Sequence, residues 1–183
     1  MSKKEEFFKE RFKQALDSTY KVISGEFDNL SKKENQQDIE DYKISNLYSR
    51  EDYIKFRAFT DSNALKKKFS NDEIYKKNLP LNSSYKALYS IAEKVRYECL
   101  GSEMLKGIEK NLKENYDQII QLKRKDQLNS KEDVPVVEAF ELYMLKKFLN
   151  VELNDLTSNM LNFWEKEFDK SIEQHIDFLK ANL

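Results

Sequence analysis

A charged residue on an apolar helix face is the feature of this sequence with the clearest chemical content. Between Glu93 and Gly101, a rotation of about 100° per residue places Arg96 inside an arc of apolar side chains. That arc consists of Tyr85, Tyr89, Ala92 and Cys99. An arginine in such surroundings needs a carboxylate or carbonyl partner, because burying an unpaired charge is costly. The pattern favours a structural ion pair that fixes helix docking, with a partner-binding or relay site as the alternative.

Several carboxylates could pair with Arg96. Glu138 is the first choice, since Pro135 begins its helix and places Glu138 one turn in, among apolar neighbours. Glu93 lies one turn before Arg96 and could be a second partner. We therefore predict a largely buried guanidinium that is paired with Glu138. Further candidates are Glu141, Asp61 and Asp133.

Other residue types give little support for catalysis or for a bound metal. His175 is the only histidine and Cys99 the only cysteine, so neither has the partners that a metal or nucleophile site needs. Cys99 lies on an apolar helix face, where a small buried thiol is usual. The sequence has no phosphate-binding loop and no calcium loop. We expect the chain to lack a catalytic site and to bind no cofactor of its own.

The composition indicates a helical protein without a strong electrostatic attraction to polyanions. The sequence has 183 residues and a net charge of −1, with only three glycines and two prolines. So few turn residues disfavour sandwiches and barrels. Near-zero net charge argues against nucleic acid and anionic membranes as partners. No apolar run approaches the roughly 20 residues needed to cross a bilayer, and no signal-peptide core follows the N-terminus. Cytoplasmic localisation is the default expectation.

Apolar periodicity predicts an all-α fold, an irregular bundle of five to seven helices in a single domain over residues 1–183. The predicted helices cover residues 3–24, 50–69, 83–100, 102–122, about 133–149 and a last one from near 154–157. Gly101 should end the third helix, and Asp133 should be the N-cap of the fifth, which lies near the bundle centre. Residues 26–49 are predicted to be a flexible connection, with one short strand near 42–45 as an option.

Four sequence blocks, at residues 12–19, 57–65, 93–112 and 133–139, carry a family resemblance. The most specific reads Glu93-x-x-Arg96-x-Glu98-x-x-Gly101 and continues to Asn111-Leu112. In this order and spacing the blocks resemble the N-terminal region of the CobT-type subunit of aerobic cobaltochelatase. The chain departs from the family at Ala58, which replaces a glycine, and at Phe69-Ser70, where the family often has a histidine. The spacing around Met104 and Gly107 is also slightly irregular.

The resemblance implies a subunit of a three-component, ATP-dependent chelatase. Its partners would be an AAA+ ATPase subunit and a large subunit that holds the corrin ring. The complex would insert cobalt into hydrogenobyrinic acid a,c-diamide during cobalamin biosynthesis. ATP, Mg²⁺ and cobalt would belong to the whole complex. The family's C-terminal von Willebrand factor A-like domain is absent here, so we expect an excised domain or a short relative. Structural or partner-binding candidates are Arg57, Asp61, Glu93, Arg96, Glu98 and Glu138. The alternative is a helical interaction module with an unrelated or phage-specific partner.

Overall fold

A computed structural model describes residues 3–26, 47–122 and 130–172, and all regular secondary structure within these ranges is helical. The predicted all-α fold is therefore confirmed. The possible strand near 42–45, most of the predicted flexible connection and His175 lie outside the described residues. The helices are α1 (Lys3–Ser24), α2 (Arg50–Phe69), α3 (Asp72–Asn78), α4 (Ser83–Met104), α5 (Lys106–Leu122), α6 (Val136–Phe148), α7 (Asp155–Asn162) and α8 (165–172).

Local capping explains where several of these helices begin. Ser49 precedes α2 and forms a capping box with Asp52, whose carboxylate accepts from the backbone N–H of Ser49 at 2.9 Å. Asn82 and Asn154 accept backbone N–H groups at the starts of α4 and α7. The predicted bounds of α1 and α2 are confirmed, because amphipathic spacing and capping are both local properties.

Three details of the predicted elements outside α4 are wrong. Asp133 does not cap α6, since it closes a 3₁₀ turn by accepting from the N–H of Ser130 at 3.0 Å, and Pro135 occupies the N-cap position. The short helix α3 was missed, and it begins where Asn71 accepts two backbone N–H groups. The predicted last helix is divided into α7 and α8 at residues 163–164. There the indole of Trp164 donates to the carbonyl oxygen of Val134 at 3.1 Å.

The main core surrounds α6, as the all-round apolar pattern of that helix predicts. Six of its thirteen residues are buried, and Leu142 and Tyr143 are completely enclosed. α6 packs against α4 and α7, whereas α2 packs against α1, α4 and α5. A second small cluster of Leu16, Leu47 and Phe56 joins α1 to α2. None of the described helices combines the length and apolarity needed to cross a membrane.

Candidate functional site

The second and third sequence blocks meet in space, at the junction of α2 with α4 and α5. Residues 57–65 lie on α2, and residues 93–112 extend along α4 into α5. α2 contacts both of these helices, so side chains of the two blocks face one another. Five of the six candidate residues make their contacts around this junction or at its edge, namely Arg57, Asp61, Glu93, Arg96 and Glu98.

Glu98 is a buried carboxylate that links three helices. Its side chain, on α4, is 1% exposed and accepts hydrogen bonds from Ser62 on α2 at 2.6 Å and from Tyr116 on α5 at 2.5 Å. The ammonium of Lys94 lies 3.9 Å away. Burial raises the pKa of Glu98, and burial together with the carboxylate raises the pKa of Tyr116. The two hydroxyl donors satisfy a group that would otherwise be expensive to bury.

Asp61 makes a second connection, between α2 and α5. Its side chain is completely buried and accepts from the side-chain amide of Asn111 at 2.7 Å. The Nε atom of Arg57 lies 3.5 Å from the same carboxylate oxygen, and the other oxygen of Asp61 has no hydrogen-bond partner within the described ranges. Burial raises the pKa of Asp61, while Asn111 and Arg57 act in the opposite direction. Asp61 thus joins the helices through an amide and does not pair with Arg96.

A glycine permits the closest approach of α2 and α4. Gly101 is buried inside α4, and the helix continues to Met104, so the prediction that Gly101 ends the helix is wrong. A Cβ atom placed on Gly101 would lie 2.3 Å from a methyl carbon of Leu65. Glycine is therefore needed here for helix packing, and the gain in packing outweighs its low helix propensity.

Arg96 and Glu93 on α4 make a group of hydrogen bonds at the end of α2, which we call the clip. The Nε and Nη2 atoms of Arg96 donate to the two carboxylate oxygens of Glu93 at 2.7 and 2.8 Å, and Nη2 also donates to the carbonyl oxygen of Phe69 at 2.7 Å. Ser70, the C-cap of α2, donates to Glu93 at 2.5 Å. Burial alone would raise the pKa of Glu93, but the hydrogen bonds from Arg96 and Ser70 lower this pKa overall. The clip therefore holds the last turn of α2 against α4.

The prediction that Arg96 is largely buried and paired with Glu138 is wrong. The Arg96 side chain is 35% exposed, and its carboxylate partner is Glu93, the second choice. Glu138 lies half-buried in the first turn of α6. The face of α4 that carries Arg96 turns toward the end of α2 and toward α3, because Arg96 reaches the Phe69 carbonyl there. Cys99, by contrast, is buried as expected, with its sulfur 3.7 Å from the carbonyl oxygen of Phe148.

A cavity of about 260 Å³ opens beside the clip. We call its wall the tyrosine face, defined by Phe69, Ile74, Tyr75, Tyr89, Glu93 and Arg96. The rings of Tyr75 and Tyr89 lie 5.1 Å apart, and the hydroxyl of Tyr75 lies 2.7 Å from that of Ser90. These contacts hold α3, which has no buried residue, against α4.

Sequence reasoning missed Ser62 and Tyr116 as the partners of Glu98. The spacing of apolar residues in 102–122 predicts only that Tyr116 lies on the apolar face of its helix, and its side chain is buried. The available signal was its hydroxyl, because a buried tyrosine usually needs a polar partner. Ser62 directly follows Asp61 in the second sequence block. Its position inside that block is the only feature of the sequence that points to a role for Ser62.

The polar network connects α2, α4 and α5. Its carboxylates accept hydrogen bonds from hydroxyl and amide groups on neighbouring helices and from the Arg96 guanidinium on the same helix as Glu93, whereas one oxygen of Asp61 has no partner among the described residues. Over residues 3–26, 47–122 and 130–172, no group of three or more His, Cys, Asp or Glu side chains could hold a metal ion. The described side chains therefore connect three helices, and a cavity opens at the edge of the region where these helices meet.

The comparison with protein families agrees with the family resemblance of the four sequence blocks. The family model described as cobalamin biosynthesis protein CobT matches residues 8–183, which is essentially the whole chain. No curated protein and no solved structure matches the chain significantly. Because the match covers essentially the whole chain, including all six candidate residues, the chain belongs to the CobT family of cobaltochelatase subunits in cobalamin biosynthesis.

Proposed function

We propose that the chain is a non-catalytic assembly component of the ATP-dependent cobaltochelatase. In this role it joins an AAA+ ATPase subunit to the large corrin-binding subunit and so supports cobalt insertion into hydrogenobyrinic acid a,c-diamide. The observation that carries the proposal is the family match over residues 8–183. A multi-subunit enzyme needs components that transmit contacts between an ATPase and a substrate-binding subunit.

The close packing of α2, α4 and α5, with polar contacts between them, supports an assembly role. Connections through Glu98, Asp61 and Gly101 join these three helices at separate points. A component that transmits force or position between two subunits must resist deformation, and close packing with buried hydrogen bonds between helices provides that resistance. In this proposal the family-like residues maintain the shape of the domain, and an exposed surface contacts the partners.

ATP, Mg²⁺ and the cobalt substrate are assigned by the same proposal to the other subunits. The sequence has no phosphate-binding loop, and the described side chains do not fit a metal site. The assembly would act in the cytoplasm.

The direct test is reconstitution with purified AAA+ and large subunits encoded in the same genome. Size-exclusion chromatography should show the chain eluting with at least one of them, and with both in the presence of ATP. A variant with an unfolded domain, such as Leu142→Asp in the enclosed core, should not co-elute and serves as the negative control. If the folded chain elutes alone under every nucleotide condition, the proposal is wrong, and a helical module with an unrelated partner becomes the better interpretation.

A further inference from the structure

The exposed tyrosine face has apolar groups that the fold leaves uncovered. Ile74 on α3 lines the cavity and is 59% exposed. Tyr85 is 62% exposed and lies one turn before Tyr89 on α4. Large apolar side chains exposed next to a cavity are typical of a protein interaction site. Packing against α4 explains Tyr75 of α3 but not Ile74, since α3 buries none of its residues completely.

The chain segment that carries this face is basic, although the whole protein is not. Residues 66–96 contain eight lysine and arginine residues, of which Lys67, Lys94 and Arg96 pair with carboxylates. The other five have no ion pair among the described residues, and the segment has two unpaired acidic residues, Asp72 and Glu73. Lys76 and Lys77 are exposed on α3, and Lys86 is exposed on α4. None of these three has an ion pair in the described part of the chain. Their positive charge is therefore available to a partner of opposite charge.

The spacing along α4 places charge beside the cavity. Lys86, Tyr89, Glu93 and Arg96 follow one another at intervals of three and four residues and so lie on one side of the helix. Arg96 uses Nε and Nη2 in its contacts with Glu93 and Phe69. Its Nη1 makes no hydrogen bond within the ranges that the structure describes, and a guanidinium edge in this position suits an incoming carboxylate.

We propose that the tyrosine face binds an acidic segment of a protein partner, which inserts one aliphatic or aromatic side chain into the cavity. Carboxylates of the segment pair with Lys77, one turn after Ile74, and with Lys86, one turn before Tyr89, while Lys76 adds to the positive charge of α3. The anchoring side chain packs between Ile74 and the two tyrosine rings. The cavity of about 260 Å³ has room for one such side chain.

A protein segment fits this face better than nucleic acid. Glu93 lines the cavity, and Asp72 and Glu73 are exposed on α3. A phosphate backbone, with its regularly spaced charges, would meet these carboxylates as well as the lysines, whereas a peptide segment can place a few carboxylates opposite the lysines alone. The exposed aliphatic group of Ile74 also favours an apolar side chain over a nucleotide. The inference deepens the proposed function by naming a docking surface, and it requires only that some protein partner exists.

The first experiment measures binding of a short fluorescent peptide, rich in Asp and Glu with one central Leu, by anisotropy at low and physiological salt. The expected result is saturable binding that weakens with salt. Replacing the central Leu by Ser, or the acidic residues by Gln, should each weaken it at least about tenfold, as loss of roughly 1.4 kcal/mol would. Duplex DNA and vesicles containing anionic lipid are measured in parallel. Binding of either of these without binding of the peptide overturns the proposal.

The second experiment uses matched variants of the chain. Lys76→Glu/Lys77→Glu/Lys86→Glu and, separately, Ile74→Ser should each weaken peptide binding at least about tenfold at an unchanged melting temperature. The control carries Lys110→Glu, Lys166→Glu and Lys170→Glu, which are exposed lysines on α5 and α8. It changes the net charge equally and should bind as the original chain does. Equal loss in the control, or no loss in the first two variants, contradicts the proposal.

Reconstitution separates this inference from the proposed function. If the unchanged chain elutes with the chelatase subunits, and the triple variant at 76, 77 and 86 does so equally well, the docking surface is wrong and the assembly role stands. If the chain binds the peptide through this face but elutes with neither subunit, the assembly role fails alone. Sedimentation that shows a dimer lost in the same triple variant would instead identify a second copy of the chain as the occupant and overturn the proposal.

Discussion

Gly101→Ala tests whether α2 and α4 are as closely packed as the structure indicates. The new methyl carbon would lie 2.3 and 2.4 Å from the two terminal carbons of Leu65 and 2.8 Å from its Cγ. Because Cγ is among the crowded atoms, rotation of the terminal methyl groups alone cannot relieve the contact. Leu65 is also completely buried, so its side chain has no free space to enter. The helices must move apart or the side chain must leave its preferred rotamer.

The expected loss of stability follows from two opposing effects. Overpacking of a filled core costs about 1–3 kcal/mol, and the enclosed position of Leu65 argues for the upper part of that range. Alanine in place of glycine within a helix returns about 1 kcal/mol. Gly101→Ala should therefore lower the free energy of unfolding by about 2 kcal/mol. Urea denaturation followed by circular dichroism at 222 nm measures it directly.

Gly107→Ala is the matched control, because Gly107 also lies in a helix but has nothing within 4 Å of the position that a methyl group would occupy there. This variant should be unchanged or more stable by up to about 1 kcal/mol. The double variant Leu65→Ala/Gly101→Ala should lose less stability than the sum of the single changes, by about 1–2 kcal/mol. If Gly101→Ala is as stable as Gly107→Ala, the close approach of α2 and α4 is refuted.

Two further predictions concern the buried and half-exposed polar groups. Because burial raises the pKa of Glu98 above its ordinary value of 4.5, the folded state loses stability as pH rises through the folded-state pKa, and Glu98→Gln should remove this dependence. Urea denaturation from pH 5 to pH 8 checks it, and a stability difference between the two proteins that does not vary with pH would contradict it. Arg96→Ala should lower the free energy of unfolding by only about 1 kcal/mol, since solvent screens its pair with Glu93, and should speed amide exchange in the last turn of α2. Arg96→Lys should restore little of that protection, because lysine lacks the two-pronged geometry, whereas full restoration would show that charge alone suffices.

The arrangement of helices along the chain could be read from the sequence because it depends on neighbouring residues. Phe12, Leu16 and Ile23 recur at helical spacing in α1, and the bounds predicted for α1 and α2 agree with the structure. The apolar pattern of α6 likewise indicated its buried position. Periodicity, capping and side-chain polarity act within a few turns, so sequence order alone reveals them.

The pairing of side chains between helices depended on the tertiary structure. Arg96 was correctly singled out, but its partners are Glu93 and the Phe69 carbonyl, since the end of α2 approaches that side of α4. Sequence reasoning predicts that Gly101 ends a helix. Only the position of Leu65 on α2 shows why a glycine lies inside the helix at this point. Ser62 and Tyr116 are separated from Glu98 by 36 and 18 residues, and they reach it only when three helices pack in one register. Such register is set by the shapes of all the packed faces together, which a pattern within one helix does not contain.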